Sequence, residues 1–252
     1  MKIEEITSKD ISLKSFEIQD ELNPKIWVNN KINSRVRLRL LDIADDFMKN
    51  LSISWVKPKD IVVTGSIANY NWSKYSDIDL HIILDYKKVY KKQEFVEDYF
   101  DAKKEIWKRD HENLTIYGFP VEVYVQDVNS DNESTGVYSI EKNKWIIEPS
   151  PIQDVKINSK YVKVYAAKII TQIDKLDKIC KEEKDNIKIE KASKQIKKIF
   201  DKLKGIRKEG LKSKYGEMSS GNIIYKIIRR MGYLDKIWDN INNTYNKINS
   251  IK

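Results

Sequence analysis

Two aspartates one residue apart, Asp77 and Asp79, open the apolar run DIDLHIIL from Asp77 to Leu84. In an extended strand successive side chains alternate faces, so both carboxylates point one way while Ile78 and Leu80 point into a core. Carboxylates held this close repel each other unless a cation neutralises them. Hard magnesium takes oxygen ligands from one or two carboxylates together with phosphate oxygens. The chemistry that suits this edge is that of a metal-bound triphosphate, with Mg2+ or Mn2+ as the ion. Upstream, the β-branched run KDIVVT (Lys59 to Thr64) ends at Gly65-Ser66, and ten residues separate Ser66 from Asp77. Gly65 lets the backbone come close to a phosphate, and Ser66 offers a hydroxyl and nearby N–H groups at a helix start. A third carboxylate on a neighbouring strand would complete a two-metal site, and Glu122, flanked by valines in VEVYV (Val121 to Val125), is the candidate. As the acid nearest the acceptor it would also serve as, or orient, the general base. Asp127, just beyond that strand, competes for the place.

Each residue also has a plainer reading. Solvated acids at a strand terminus would account for Asp77 and Asp79, but not for Gly65-Ser66 at that distance before them. Glu122 read alone is an outward-facing strand residue alternating with core valines. His81 shares the strand parity of both aspartates, so it either faces the site as a substrate contact or makes a structural hydrogen bond. His111 sits where a helix should end and complements the helix dipole. Tyr70 and Trp72 lie in the loop after Gly-Ser, placed either to stack on a base or to pack on the core. Tyr161 and Tyr165 have helical spacing and are read first as packing. Cys180, the single cysteine, falls on an apolar helical stripe and reads as a core thiol.

The stretch GSIANYNWSKYSDIDL resembles the polymerase-β-like nucleotidyltransferase superfamily, whose signature is Gly-Ser, a gap of about this length, an apolar-flanked Asp-x-Asp and a later strand acid. Within it, ELNPKIW, TGSIANYNWSKYSDIDLHIILDY, GVYSIEKNKWI and IIRRMGYLDK look like a group of nucleotidyltransferase-domain proteins encoded by tailed phages. The resemblance implies transfer of a nucleoside monophosphate from a nucleoside triphosphate, such as ATP, to a hydroxyl, with pyrophosphate released. Asp77, Asp79 and Glu122 would be both catalytic and metal-binding, and Gly65 and Ser66 would bind substrate. Members of the superfamily often carry Ala-Arg-Gly soon after Gly-Ser, whereas this chain has Ala68-Asn69-Tyr70. The basic contact is therefore absent or supplied elsewhere, by Lys74 or by the pair Arg229 and Arg230.

Around these motifs the periodicity predicts a helix over Ser34 to Leu51 with Ser34 as its cap, strands at Lys59 to Thr64, Asp77 to Leu84 and Val121 to Val125, and a long or broken helix over Lys88 to Arg109. Residues 1–30 show no regular pattern. Two prolines and a serine in EPSPIQD (Glu148 to Asp154) read as a connector. Beyond it, apolar stripes from Val162 to Cys180 and from Ile189 to Ile206 predict paired antiparallel helices. A short helix over Ser220 to Arg230 and a last one from Tyr233 follow, separated at Gly232. The expected class is α+β: a nucleotidyltransferase-type mixed sheet with flanking helices over residues 1–150, then an all-α helical domain over 151–252.

The 252 residues suffice for a buried core and carry 47 basic against 38 acidic side chains, a formal charge of +9. That balance is compatible with a polyanionic partner such as RNA, although only seven of the basic residues are Arg. The lysines of the Ile189 to Ile206 helix read first as a solvated face. No apolar stretch is long enough to span a bilayer, and the first residues have no signal-peptide core, so a cytoplasmic protein without a membrane partner is expected, in the host cytoplasm for a phage product. Two other functions fit parts of the pattern. An Asp-x-Asp glycosyltransferase would not need Gly65-Ser66, and a binding module for nucleic acid or a host protein would not need three acids. The acceptor stays open among an RNA 3′ end, a protein side chain, a small molecule and a second nucleotide.

Overall fold

The computed structural model describes residues 6–130, 134–151 and 157–251. The chain divides into two compact units, one of residues 17–153 and one of residues 1–16 with 154–252. The first unit is built on a six-stranded sheet. Its elements in chain order are β1 (Trp27–Val28), β2 (Lys31–Ile32), α1 (Ser34–Asn50), β3 (Asp60–Thr64), β4 (Ile78–Leu84), α2 (Tyr86–Val89), α3 (Gln93–Asp110), β5 (Thr115–Ile116), β6 (Phe119–Asp127), β7 (Val137–Ser139) and β8 (Lys144–Ile147). The sheet runs β5-β6-β4-β3-β7-β8, and β1 with β2 makes a separate hairpin.

β4 shows why this sheet has a dry face and a wet one. Ile78, Leu80, Ile82 and Leu84 are fully buried, while the alternate residues Asp79, His81 and Ile83 are only partly so. Burying each of these four side chains stabilises the fold by about 1.5–3 kcal/mol. Helix α1 presents Val36, Leu40, Ala44 and Phe47 to that core, and α3 presents Val96, Phe100 and Trp107. The strand order follows from the connections. β3 and β4 are antiparallel, whereas β4 and β6 are parallel, which requires a crossover, and α2 with α3 supplies it. The crossover is broken rather than continuous: Asp85 caps α2, Tyr90 ends it in extended backbone, and α3 begins at Gln93.

Three details differ from the sequence expectations. Asn33, not Ser34, caps α1, its side chain accepting the Arg35 N–H; asparagine is as good a cap as serine, and the chain turns one residue earlier. Residues 1–30 are not wholly irregular, because Trp27–Val28 starts a hairpin turned by Asn29 and Asn30 with φ of 48° and 60°; asparagine tolerates that left-handed backbone. β5, β7 and β8 are too short for alternation to reveal, and tertiary pairing defines them. The expected connector Glu148 to Asp154 is described only to residue 151; its remainder lies outside the described residues.

The second unit contains α4 (Ser159–Glu182), α5 (Asn186–Lys212), α6 (Ser220–Arg230) and α7 (Tyr233–Asn249). The stripes read from the sequence are its core: Val162, Ala166, Ile170 and Ile173 meet Ile189, Ile196 and Leu203, with Ile223, Ile227 and Ile237 from the last two helices. Ser219 caps α6 by accepting the Asn222 N–H, and Gly232, with φ of 76°, separates α6 from α7. Ile11 and Phe16 pack into this helical core. Cys180 is buried in it, and the lysines of α5 at 188, 191, 194, 197, 198 and 202 are all exposed. Among the described residues no helix is long and apolar enough to cross a membrane.

Candidate active site

Strand register brings the acids together. In the parallel pair of β4 and β6, Asp79 lies directly opposite Glu122, and in the antiparallel pair of β3 and β4 it lies opposite Thr64. Asp77 precedes β4 with the same parity. One carboxylate oxygen from each of Asp77, Asp79 and Glu122 falls within 4.8 Å of the others, the one group of three potential metal ligands among the described residues. All three side chains are partly buried. Asp127 does not compete: it sits five residues further along β6, where its carboxylate accepts the Tyr86 N–H at 3.1 Å and the Asn129 amide at 3.1 Å.

The Gly65-Ser66 turn faces these acids. Gly65 has φ of 75°, and a Cβ placed there would lie 1.9 Å from Asp79 Oδ2, so close approach and backbone conformation both require glycine. Ser66 begins a single 3-10 turn, Ser66–Ala68, and its hydroxyl shares a 2.8 Å hydrogen bond with that of Ser76. Ser76 in turn accepts the Ser73 N–H at 3.0 Å, so the gap between the two motifs is folded back on itself. Asn69, in the place where relatives were expected to carry arginine, has a structural task. Its amide donates to Gly65 O at 2.8 Å, and its oxygen accepts the Thr135 hydroxyl at 2.9 Å. Trp27 donates to Ile67 O at 2.7 Å, and Trp72 packs against the sheet core while donating to Glu21 O at 2.8 Å. Trp72 is thus a packing residue, and the turn is held from three sides.

Glu122 has two side-chain partners. The Tyr124 hydroxyl donates to one carboxylate oxygen at 2.5 Å, and Lys108 Nζ lies 3.0 Å from the other. Burial pushes the Glu122 carboxyl up, but the bonds from Tyr124 and Lys108 outweigh it and hold the group below the usual glutamate range. Tyr124 is pushed up, first by burial and then by Asp79 and Glu122, so it stays a donor. Its ring lies between the Lys104 ammonium, 3.7 Å from the centroid, and His81, stacked at 4.8 Å. His81 also shares a 3.0 Å hydrogen bond with Gln126. Burial is the main cause that brings its pKa down to about 4, leaving a neutral ring at physiological pH.

The other predicted basic contacts have partners or exposure of their own. Lys74 is exposed, its ammonium 5.0 Å from the Tyr75 ring centroid. Arg229 is exposed on α6, and Arg230 stacks over Phe16 at 4.3 Å and donates to Ser15 at 2.6 Å within the helical unit. The cations that α3 sets against the Glu122 side of the site are Lys104 and Lys108, which the sequence reading did not select. Their four-residue spacing on the helix entering the Glu122 strand was the available signal. His111 caps the C-terminus of α3, with its ring nitrogen 2.9 Å from Trp107 O, as a helix-end residue should. Tyr161 and Tyr165 stack on each other at 5.6 Å.

The donor set is all hard oxygen, and the space at Gly65 that a Cβ would fill opens directly onto Asp79, so the residues present fit a magnesium-type ion with an oxygen-rich ligand. A solved structure, the STING-associated CdnE c-di-GMP synthase from Capnocytophaga granulosa, aligns over 86% of this chain and 83% of its own at 13% identity, with a TM-score of 0.23. A likeness of that degree says nothing about substrate. No curated protein sequence matches. Residues 43–162, which contain Gly65, Ser66 and all three acids, match the family described as nucleotidyltransferase domain.

Proposed function

We propose that this chain transfers a nucleoside monophosphate from a nucleoside triphosphate to a hydroxyl acceptor, with Asp77, Asp79 and Glu122 holding divalent cations. The observation that carries this reading is the meeting of three carboxylates from β4 and β6 opposite a glycine whose Cβ would strike Asp79. Bound magnesium would supply Lewis-acid chemistry, lowering the pKa of the acceptor hydroxyl and steadying the leaving pyrophosphate. Gly65 leaves room for the triphosphate tail, and the Ser66 hydroxyl, oriented by Ser76, donates to it. Glu122 takes or directs the acceptor proton. Its low pKa keeps it ionised and able to do so at neutral pH. The acceptor oxygen forms a bond to the α-phosphorus, the bond from that phosphorus to the bridging oxygen breaks, and pyrophosphate departs. An RNA end is the acceptor to try first, because the formal charge of +9 and the exposed lysines of α5 favour a polyanion.

The test is to incubate the chain with each α-labelled triphosphate, magnesium and, separately, RNA, protein and small-molecule acceptor pools. Label should enter one pool, depend on magnesium and vanish in Asp77→Asn and Asp79→Asn. Label that persists in both variants, or magnesium-triphosphate that fails to bind in calorimetry, removes the catalytic reading.

A further inference from the structure

We infer that Lys108 is an exchangeable counter-ion: it neutralises Glu122 while the acid cluster holds no divalent ion, and it must leave that carboxylate for the cluster to load. This rests on the reading above, that Asp77, Asp79 and Glu122 form a metal site. Of the two partners on Glu122, only one is built to move. Tyr124 is held between Lys104 and His81, and its hydroxyl bond fixes one carboxylate oxygen. Lys108 reaches the other oxygen on a flexible stem and is 55% exposed, whereas Glu122 is 23% exposed. Glu122 is therefore oriented by a rigid donor on one oxygen and covered by a mobile ammonium on the other.

A cation shared with Asp77 and Asp79 would need a Glu122 oxygen, and Lys108 already stands close enough to that cluster to feel the Asp77 charge as well. An ammonium and a divalent ion cannot both sit beside the Glu122 carboxylate without strong repulsion. When Lys108 lets go it has somewhere to turn, because a notch of about 100 Å³ beside Glu122 is lined by Lys104, Lys108, Trp107, His111 and Glu112. Glu112, just past the end of α3, offers a carboxylate on the wall of that notch. Lys108 thus keeps the third acid in place before loading and sets a threshold on divalent-ion concentration.

The measurement is Mn2+ affinity by electron paramagnetic resonance, without nucleotide, on the full chain. Lys108→Met should bind Mn2+ about fivefold more tightly than the wild type, the effect of removing a half-exposed ion pair. Lys108→Arg should restore wild-type affinity. Lys104→Met, which removes a nearby charge that contacts Tyr124 rather than the acid, should change affinity less than twofold, and the gain from Lys108→Met should disappear in a Glu122→Gln background. Unchanged or weaker binding in Lys108→Met, or an equal gain in Lys104→Met, overturns the exchange. Wild-type binding that Asp79→Asn abolishes, with no gain in Lys108→Met, would sink this inference and leave the metal site standing. No Mn2+ binding by the wild type would sink both.

Discussion

Asp60 and Glu122 lie on the same face of one sheet, and each has a lysine and a hydroxyl partner, yet they differ in what surrounds them. Asp60, at the start of β3, is buried and accepts from Ser139 at 2.6 Å, from Lys142 at 2.6 Å and from the Ile61 N–H at 2.9 Å. Its bonding capacity is taken up by the chain. Glu122 is drawn against two further carboxylates, within 4.8 Å, next to a turn that only glycine can make. The register sets them apart, because Asp60 pairs with Ile83 while Thr64, four residues along β3 and about 13 Å away, pairs with Asp79. An acid with a complete set of partners ties strands together. Acids crowded against one another beside a glycine turn make a cluster of oxygen ligands that a hard cation would suit.

The largest break in this comparison should come from removing charge at each place. Asp79→Asn is expected to lower transfer by about a thousandfold, the scale of losing a group that positions transition-state charge. Asp60→Asn should leave the rate within about twofold, and equal losses in steady-state assays would erase the distinction. Stability should respond in the opposite sense. Asp60→Asn is expected to cost about 1–2 kcal/mol in urea unfolding, since it removes a buried charge-assisted bond, whereas Asp77→Asn should cost nothing or raise the melting temperature by relieving crowding.

Gly65→Ala sharpens the comparison from the side of the turn. The added Cβ must displace the Asp79 carboxylate from a backbone with φ of 75°, so a loss of about 1–2 kcal/mol in stability should accompany weaker Mn2+ binding. Full metal affinity in that variant would mean that the turn does not place Asp79. The smallest effect concerns pH. Glu122 titrates below the usual range, so its contribution to stability is present above the unfolded value and is lost as pH falls through the folded one. Tyr124→Phe removes a hydrogen bond that opposes burial. Carboxyl NMR should then show Glu122 titrating at higher pH, with this stability lost earlier on acidification; an unmoved titration would show that Tyr124 does not hold the acid.

Much of this molecule was legible before folding because some signals are local. Alternation in β4 separated Ile78, Leu80, Ile82 and Leu84 from Asp79 and His81, and helical periodicity located α4 to α7 together with the break at Gly232. Gly65-Ser66 and the Asp-x-Asp sit within one short stretch, and Glu122 stands in an alternating run, so residue type and parity were enough to nominate them. What residue order could not express was which strands lie side by side. Only the parallel pairing of β4 with β6 sets Asp79 opposite Glu122, and only the crossover through α3 carries Lys108 to 3.0 Å from that carboxylate. Periodicity records which way a side chain points relative to its own backbone, while a site depends on distances between separate segments, which the packing of the whole sheet and its helices decides.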